Sequence, residues 1–299
     1  MGLYLPDWFQ SQFSTNVQMV LQYKGSVLRP LVTPGTYTGS DAASPVNFIG
    51  TVEMDDVTDR FAPMGRKDIT KERRWISPTD SDLPVQLDSF DKLRTAVEPE
   101  SAETMAAVAA AGRRIDRHIL RSFFATAKVG VKGASTKNYD TNNTVTVSIG
   151  GTNSRISVEK LLTMREKMKR NFVQFDQEEV FVGITAYDET ALMREMQVVS
   201  SDYAGSDAPV LVDGKLKKFL GFNFVPCELI ESELAGTNVV KLPVWCKSGM
   251  NFGIWDEIKT SISKRNDLRG EPWQLYITLT AGATRLEEGK VYQIESYRA

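Results

Sequence analysis

The sequence predicts a mixed α+β protein organised around one long helix. Residues 98–127 follow a helical period, whereas later segments alternate between helical and β-like patterns. The first 48 residues mix aromatic and β-branched side chains with Gly, Pro, Ser and Thr and show no long helical period. We therefore expect one spine helix, sheets packed around it, and an extended arm that lies on another part of the fold or on another subunit.

The predicted spine helix has start and end signals. Pro99 suits the first turn, and Glu98, Glu100 and Glu103 complement the positive end of the dipole. The later turns carry Arg113, Arg114, Arg117 and Arg121. Its narrow apolar face has steps of three and four through Met105, Val108, Gly112, Ile115 and Ile119. At roughly 43 Å it is longer than an average helix of about 11 residues, which favours a spine over an ordinary amphipathic core helix.

Composition excludes several classes of function. The chain has 299 residues, 41% hydrophobic and 25% charged, with a net charge of −2, which argues against a protein that mainly grips nucleic acid. Cys227 and Cys246 fit neither a zinc nor a redox motif, so we expect both to be buried apolar residues in a reducing compartment. The sequence shows neither a membrane-spanning run nor a signal peptide, and predicts a soluble protein made in a cytoplasm.

Residues 49–90 form two β-like runs around a basic tip. The cationic residues are Arg60, Arg66, Lys67, Lys71, Arg73 and Arg74, and Trp75 follows them directly. A two-stranded ribbon is marginal alone and gains stability by docking, so we take these residues and Trp75 as candidate inter-subunit contacts. The alternative is a solvated hairpin. If the ribbon docks, reversing the charges of Arg73 and Arg74 together should impair assembly and leave the subunit folded.

The segment after the spine predicts an α/β layer. Residues 128–155 are rich in turn formers around the strand Thr144–Ile149 and mark a boundary. Ser157 then caps a helix whose apolar side is supplied by Leu161, Leu162, Met164 and Met168. A buried strand, Glu179–Ile184, and a second helix near Ala186 follow.

The remaining chain predicts strands. Asp213-Gly214 is a tight turn between two β runs, and Gly221 ends the second. The tail from Trp273 alternates as two strands around a Gly-rich turn, and we expect it to return to the sheet of an earlier strand.

No residue pattern indicates catalysis. His118 is the single histidine, and the sequence lacks a phosphate-binding loop and a histidine metal motif. Asp80 and Asp82 form a D-x-D pair that can hold a divalent cation, but we expect it in a solvated turn beside Pro78 and Pro84. We therefore predict no cofactor, no metal and no enzymatic activity; the alternative in another class is a carboxylate-dependent enzyme using these two aspartates.

The order of these elements resembles the major capsid proteins of tailed phages with the Hong Kong 97-type fold. The resemblance rests on G-R-R-I-D-R-H-I from Gly112, S-S-D-Y from Ser200, D-G-K with L-G-F-N-F-V from Asp213, and G-A-T-R-L from Gly282. It implies five parts: an N-terminal arm (1–48), an extended loop (49–90), a peripheral domain with the spine helix (91–154), an axial domain (155–260) and return strands of the peripheral domain (261–299).

The resemblance also implies a function. Pentamers and hexamers of one subunit would form an icosahedral shell in the virion, made in the host bacterial cytoplasm and enclosing double-stranded DNA without sequence specificity. Expected partners are other copies of the chain and a portal, and the sequence leaves open whether a decoration protein also binds. Many members of this family carry a long N-terminal scaffolding segment. Here about 97 residues precede the spine, and nearly all of them are assigned to the arm and the loop, so we expect a separate scaffolding protein as well. We expect no Lys–Asn crosslink through Lys67 or Lys71. An encapsulin-like bacterial compartment shares the fold and is the alternative.

Overall fold

The structure is a computed structural model that describes residues 26–39, 42–45, 47–50, 52–54, 56, 67–87, 99–195, 211–212, 215–269 and 271–298. Its α-helices are α1 (Pro99–Phe124), α2 (Val158–Arg170), α3 (Ala186–Met193) and α4 (Leu229–Leu234). The first nine strands are β1 (Thr33–Thr36), β2 (Asn47–Ile49), β3 (Lys71–Trp75), β4 (Thr79–Leu87), β5 (Ala127–Val129), β6 (Ser135–Lys137), β7 (Thr144–Val145), β8 (Ser148–Ile149) and β9 (Thr152–Asn153). The later strands are β10 (Val180–Ile184), β11 (Leu211–Val212), β12 (Lys215–Leu216), β13 (Lys218–Phe219), β14 (Phe222–Pro226), β15 (Val239–Cys246), β16 (Met250–Lys264), β17 (Trp273–Arg285) and β18 (Val291–Tyr297).

A six-stranded mixed sheet forms the first layer, in the order β13-β14-β10-β15-β18-β7. All five residues of β10 are buried, so both faces of this strand are covered, as a continuous apolar run predicts. A two-residue turn joins β13 to β14, and Leu220 and Gly221 both have positive φ there, at 53° and 85°. This is the turn that the right-handed twist of a hairpin favours. Strands β11 and β12 pair antiparallel, and the turn predicted at Asp213-Gly214 lies outside the described residues.

Helix α2 begins as the sequence predicts. Ser157 Oγ accepts a hydrogen bond from the backbone N–H of Lys160 at 3.3 Å. Of the predicted apolar side, Leu161, Met164 and Met168 are buried, but Leu162 is 48% exposed. Leu162 lies about 100° around the helix from Leu161, so the prediction was wrong for this residue.

A second sheet, of order β1-β16-β17-β4, contains the long hairpin of β16 and β17. The N-terminal half of α1 packs on this sheet, where Ala107 contacts Leu275 and Ile277. A third, small sheet of order β2-β3-β5-β6 lies at the base of the extended loop.

Three predicted placements need correction. The tail divides between sheets, because β17 joins the β16 sheet and β18 joins β15, and the boundary predicted at residue 260 falls inside β16. Asp80 and Asp82 lie on β4, which pairs with β17 rather than forming a turn. Residues 79–87 therefore belong to a sheet and not to a free ribbon. Sheet membership depends on long-range pairing that local periodicity does not contain.

Helix α1 has 26 residues and a length of roughly 39 Å, close to the predicted spine. Val108, Ile115 and Ile119 of the predicted face are at most 3% exposed. Within the part of the chain that the structure describes, no helix is both long and apolar enough to cross a membrane.

One continuous core joins the two large sheets. Trp245 on β15 is fully buried, with its ring 4.8 Å from Phe123 of α1 and 5.7 Å from Phe181 of β10. Its indole N–H donates to the carbonyl of Leu31 at 3.0 Å. The expected burial of Cys227 and Cys246 is confirmed, and both thiols are free. The spine, the six-stranded sheet and the end of the arm therefore share one interior.

The last described residue, Arg298, is held by a buried carboxylate. Its guanidinium donates to both oxygens of Asp188, at 2.8 and 2.7 Å, and Thr185 and Ser296 donate to the same carboxylate. Burial favours the neutral acid, but the hydrogen bonds from Arg298, Ser296 and Thr185 outweigh it and lower the pKa of Asp188 below its ordinary 3.8. The charged form is therefore the one that folding favours.

We predict that Asp188→Asn lowers the free energy of unfolding by roughly 3 kcal/mol at pH 7, because Arg298 loses its charged partner. A depressed pKa contributes stability above the unfolded value, which is lost as the pH falls through the folded value. The wild type should therefore lose more stability than the variant on acidification below pH 3.8. Urea unfolding at several pH values measures the unfolding free energies of the wild type and the variant. Parallel pH profiles would contradict the claim that the fold stabilises the charged form of Asp188.

Candidate inter-subunit surfaces

The ribbon formed by β2 and β3 begins at the small third sheet. Asn47, Phe48 and Ile49 pair with Arg73, Glu72 and Lys71, and the N–H of Gly50 continues the ladder to the carbonyl of Thr70 at 2.7 Å. On its other edge β3 pairs with β5, which follows the spine helix directly. The small sheet thus connects the ribbon to the C-terminal end of the spine, because β5 follows the spine directly and pairs with β3.

Large apolar side chains are exposed along this ribbon. The exposed fractions are 71% for Ile49, 50% for Val52, 100% for Met54 and 48% for Ile69. Scattered apolar residues are normal on a surface, but four large ones along one short stretch leave apolar area that a protein contact would bury. The contact residues predicted from the sequence are cationic apart from Trp75 and do not include these four.

The predicted contact residues divide into several groups. Arg60 and Arg66 lie outside the described residues. Lys67 and Lys71 are exposed, and the ammonium of Lys67 donates to the carbonyl of Glu53 at 2.7 Å. Arg73 is also exposed; its Nε donates to Asn47 Oδ1 at 2.6 Å and its guanidinium lies 5.8 Å from the Trp75 ring centre. Half-buried Trp75 donates its indole N–H to the carbonyl of Gly130 at 2.6 Å.

Arg74 is different, because it is 2% exposed. Its Nε donates to the carbonyl of Leu286 at 2.7 Å, and its Nη2 lies 3.3 Å from Glu288 Oε1. Successive strand residues point to opposite faces, so Arg73 and Arg74 cannot both face outward. The structure therefore moves Arg74 from the candidate contacts to the interior, and the alternation in K-E-R-R-W was the signal that could have separated the two.

A second buried arginine shares the Glu288 carboxylate. Arg285 is 1% exposed, and its Nε lies 2.7 Å from Glu288 Oε2. Its Nη1 donates to the carbonyls of Phe123 and Ala125 at 2.7 and 3.0 Å. These carbonyls lie at the C-terminal end of α1, where helical acceptors have no partner and a cation is favoured. Arg74, Glu288 and Arg285 thus connect the ribbon, the turn before β18 and the end of the spine.

The arm is attached to the middle of the spine by Asp116, which is 5% exposed. Its carboxylate accepts the N–H groups of Val27 and Leu28 at 3.3 and 3.0 Å, and Ser26 Oγ as well. Leu28 is fully buried, and β1 then pairs in parallel with β16. Asp116 and Arg285 both fall within the motifs that carry the family resemblance, although the sequence alone gave neither a role.

Asp80 and Asp82 line a cleft of about 390 Å³ between β4, β17 and α1, and His118 lies beside it. Arg114 donates to Ser81 Oγ at 2.9 Å, and His118 Nε2 lies 3.4 Å from the same hydroxyl. Burial, followed by the charges of Arg114 and Arg121, lowers the pKa of His118 to about 4, so this imidazole is neutral at pH 7.

The two aspartates of this cleft have hydroxyl partners. Asp80 accepts from Thr280 at 2.7 Å, and the hydroxyl of Tyr276 lies 3.4 Å from Asp82. Among the described residues no three acidic, histidine or cysteine side chains converge as a metal site would require. The chemistry of the cleft is that of a cross-strand polar contact.

This combination of an anchored arm, a ribbon with exposed apolar side chains and a continuous core, without a catalytic constellation among the described residues, is that of a structural subunit. The chain belongs to the phage capsid protein family, which matches residues 5–297. It is therefore a structural component of the virion capsid that associates with its own kind, and not an enzyme. Among curated proteins, none matches the chain.

Solved structures with the same fold include several capsid subunits. The Cyanophage Pam1 capsid subunit has a TM-score of 0.70 at 12% identity, with 92% of each chain covered. The Cyanophage P-SCSP1u capsid subunit has a TM-score of 0.66 at 12% identity, covering 92% of this chain and 89% of the other. A virus-like particle from Pyrococcus furiosus has a TM-score of 0.59 at 7% identity, covering 96% and 99%. The predicted Hong Kong 97-type α+β fold is confirmed.

We predict that Arg74→Met lowers the free energy of unfolding by about 3 kcal/mol, because it leaves a buried carbonyl and part of a buried ionic group without a partner. The matched change Arg73→Met should alter it by no more than about 0.5 kcal/mol, since its side chain is exposed. Urea unfolding of unassembled subunits, followed by tryptophan fluorescence, measures both. Equal losses for the two variants would contradict a special role for Arg74.

Proposed function

We propose that this chain is the major capsid protein of a tailed double-stranded DNA phage, and that its pentamers and hexamers close into an icosahedral shell. The observation that carries the proposal is the ribbon of β2 and β3. The segment around it exposes four large apolar side chains, yet a buried ionic network fixes its base to the spine. A surface that is fixed at its base and carries both exposed apolar side chains and exposed cations is suited to dock on another copy of the chain.

Docking of this kind would join the subunits into closed rings. A ribbon on one copy and a different surface on the next make a heterologous contact, and such contacts close into rings when the rotation permits. The net charge of −2 suits a container for DNA, because tight phosphate binding would oppose packaging and ejection.

Further partners belong to the same proposal. We expect a separate scaffolding protein and a portal, with DNA held inside without sequence specificity. We also expect no covalent Lys–Asn crosslink through the ribbon. Lys67 supports this view, because its ammonium is already bound to the carbonyl of Glu53.

A compartment that holds protein cargo instead of DNA is the second candidate, because a particle from Pyrococcus furiosus that is described as virus-like shares the fold. The contents separate the two candidates. Particles purified from the native source should show the ultraviolet absorbance of nucleic acid if they are phage capsids. Particles that contain a protein and lack nucleic acid would favour the compartment.

We predict that the protein expressed alone forms shells, tubes, or free hexamers and pentamers. Negative-stain electron microscopy beside size-exclusion chromatography measures this directly. A monomer that persists at high concentration, and also in the presence of the scaffolding protein of the same phage, would contradict the proposal.

The cationic face of the ribbon gives a sharper prediction. Lys71→Glu combined with Arg73→Glu reverses two exposed charges, so the subunit should keep its unfolding midpoint while its assembly falls strongly. The matched double change to Gln should give an intermediate effect, because it removes attraction without adding repulsion. Assembly is read by light scattering at several salt concentrations. Normal assembly of the Glu variant would show that this face is only solvated. Reversal of Arg74, included in the sequence-based version of this test, would instead damage the fold.

A further inference from the structure

One edge of the long strand β16 is mostly without a partner strand. β16 has 15 residues, and on this edge β1 pairs with four of them, residues 251–254. Its other edge pairs with β17 as far as Lys264. Within the part of the chain that the structure describes, no strand pairs with the first edge along residues 259–264. Such an edge presents backbone N–H and C=O groups that another strand can bind, and proteins usually cover it.

The two faces of β16 at this edge differ. Ile258 and Thr260 are half-buried, and Ile258 packs against both apolar clusters of the core. Lys259, Ser261 and Ser263 are exposed. Because successive side chains of a strand point to opposite faces, a strand that covers this edge should place apolar residues towards the spine helix and polar residues in solvent at alternate positions.

The sequence that precedes the described arm has this alternation. Residues 16–23 read N-V-Q-M-V-L-Q-Y and lie outside the described residues. The odd positions carry large apolar side chains, namely Val17, Met19, Leu21 and Tyr23. The even positions are polar except for Val20. This period of two indicates a strand with one apolar face.

The anchored part of the arm brings this segment to the open edge. Ser26 and the two residues after it bind Asp116 on the spine, and Arg29 Nη2 lies 2.6 Å from Glu257 Oε1, two residues before the edge opens. Two residues separate Tyr23 from Ser26, which gives a reach of roughly 10 Å. The end of the segment can therefore lie beside the start of the edge.

Length and direction also agree. A strand that ends beside the start of the edge runs antiparallel to β16, which leads away from the arm. At about 3.4 Å per residue, residues 17–23 span roughly 24 Å and residues 259–264 roughly 20 Å. The segment is thus long enough to cover the whole edge.

We infer that residues 17–23 form a further strand on β16, antiparallel to residues 259–264 of the same chain. Its odd positions then face the spine beside Ile258 and Thr260, and Gln18 lies beside Ser263 in solvent. The arm covers β16 twice, with β1 on the first part and this strand on the rest. It thereby closes an edge at which two copies could otherwise pair wrongly. The inference concerns the arm alone and does not depend on the proposed assembly.

The first test is a disulfide scan of the full chain. Ser263→Cys is combined in turn with a cysteine at each position from 16 to 23 and oxidised mildly. Bridging needs side chains on the same face, so the yield within one chain should be high at even positions, with its maximum at 18, and low at odd positions. Cys227 and Cys246 are buried and do not compete.

Non-reducing gels and mass spectrometry of the linked peptides measure the yield. No disulfide at any position, or a yield that does not alternate in this phase, would overturn the inference. Disulfides between two chains instead of within one would also overturn it, because the edge would then belong to a neighbouring copy.

The second test measures amide hydrogen exchange of residues 259–264 in unassembled subunits. Met19→Asp combined with Leu21→Asp places charge on the inward face, so these amides should exchange about tenfold faster or more. The matched pair Gln18→Asp and Gln22→Asp changes the outward face and should leave exchange unchanged. Equal exchange in the wild type and both variants would contradict the inference. Neither test requires a particle, so its failure leaves the proposed function intact.

Discussion

The Glu288 carboxylate is bound by two buried arginines that belong to different parts of the chain. Arg74 comes from the ribbon, and Arg285 comes from the long hairpin and also binds the last carbonyls of the spine. Charges buried in this way are stable only when every partner is in place, because a missing partner leaves an uncompensated charge. The direction of the ribbon, the end of the spine and the path of the last strand are consequently fixed together.

The continuous core links this ionic network rigidly to the rest of the subunit. Phe123 of the spine packs on Trp245 of the six-stranded sheet, and the indole of Trp245 binds the carbonyl of Leu31 in the arm. Close-packed interiors deform little, so the ribbon and the surfaces around α2 keep a fixed relation within one subunit. A shell built from many copies depends on that relation, since small angular errors accumulate around a ring.

Local patterns predicted what local physics determines. The spine, the capping role of Ser157 and the buried strand β10 follow from period, cap chemistry and apolar runs, and all three lie within a few residues of their expected places. The inward orientation of Arg74 could also have been predicted, because side chains alternate between the two faces of a strand and Arg73 is exposed. The prediction from charge alone placed both arginines at the surface. The sheet of β18, the pairing of β4 and the partners of Asp116 depend on contacts between distant residues, which no local pattern contains.

Pairings between the two ends of the chain have a consequence for biosynthesis. Asn251 binds the carbonyl of Thr33 across 218 residues, and Arg74 binds that of Leu286 across 212. Such non-local contacts form late, because their loop-closure entropy must be overcome first. A nascent chain still on the ribosome therefore lacks the groups that lock its ribbon. The contacts that hold the base of the ribbon are therefore completed only after the last strands have been synthesised.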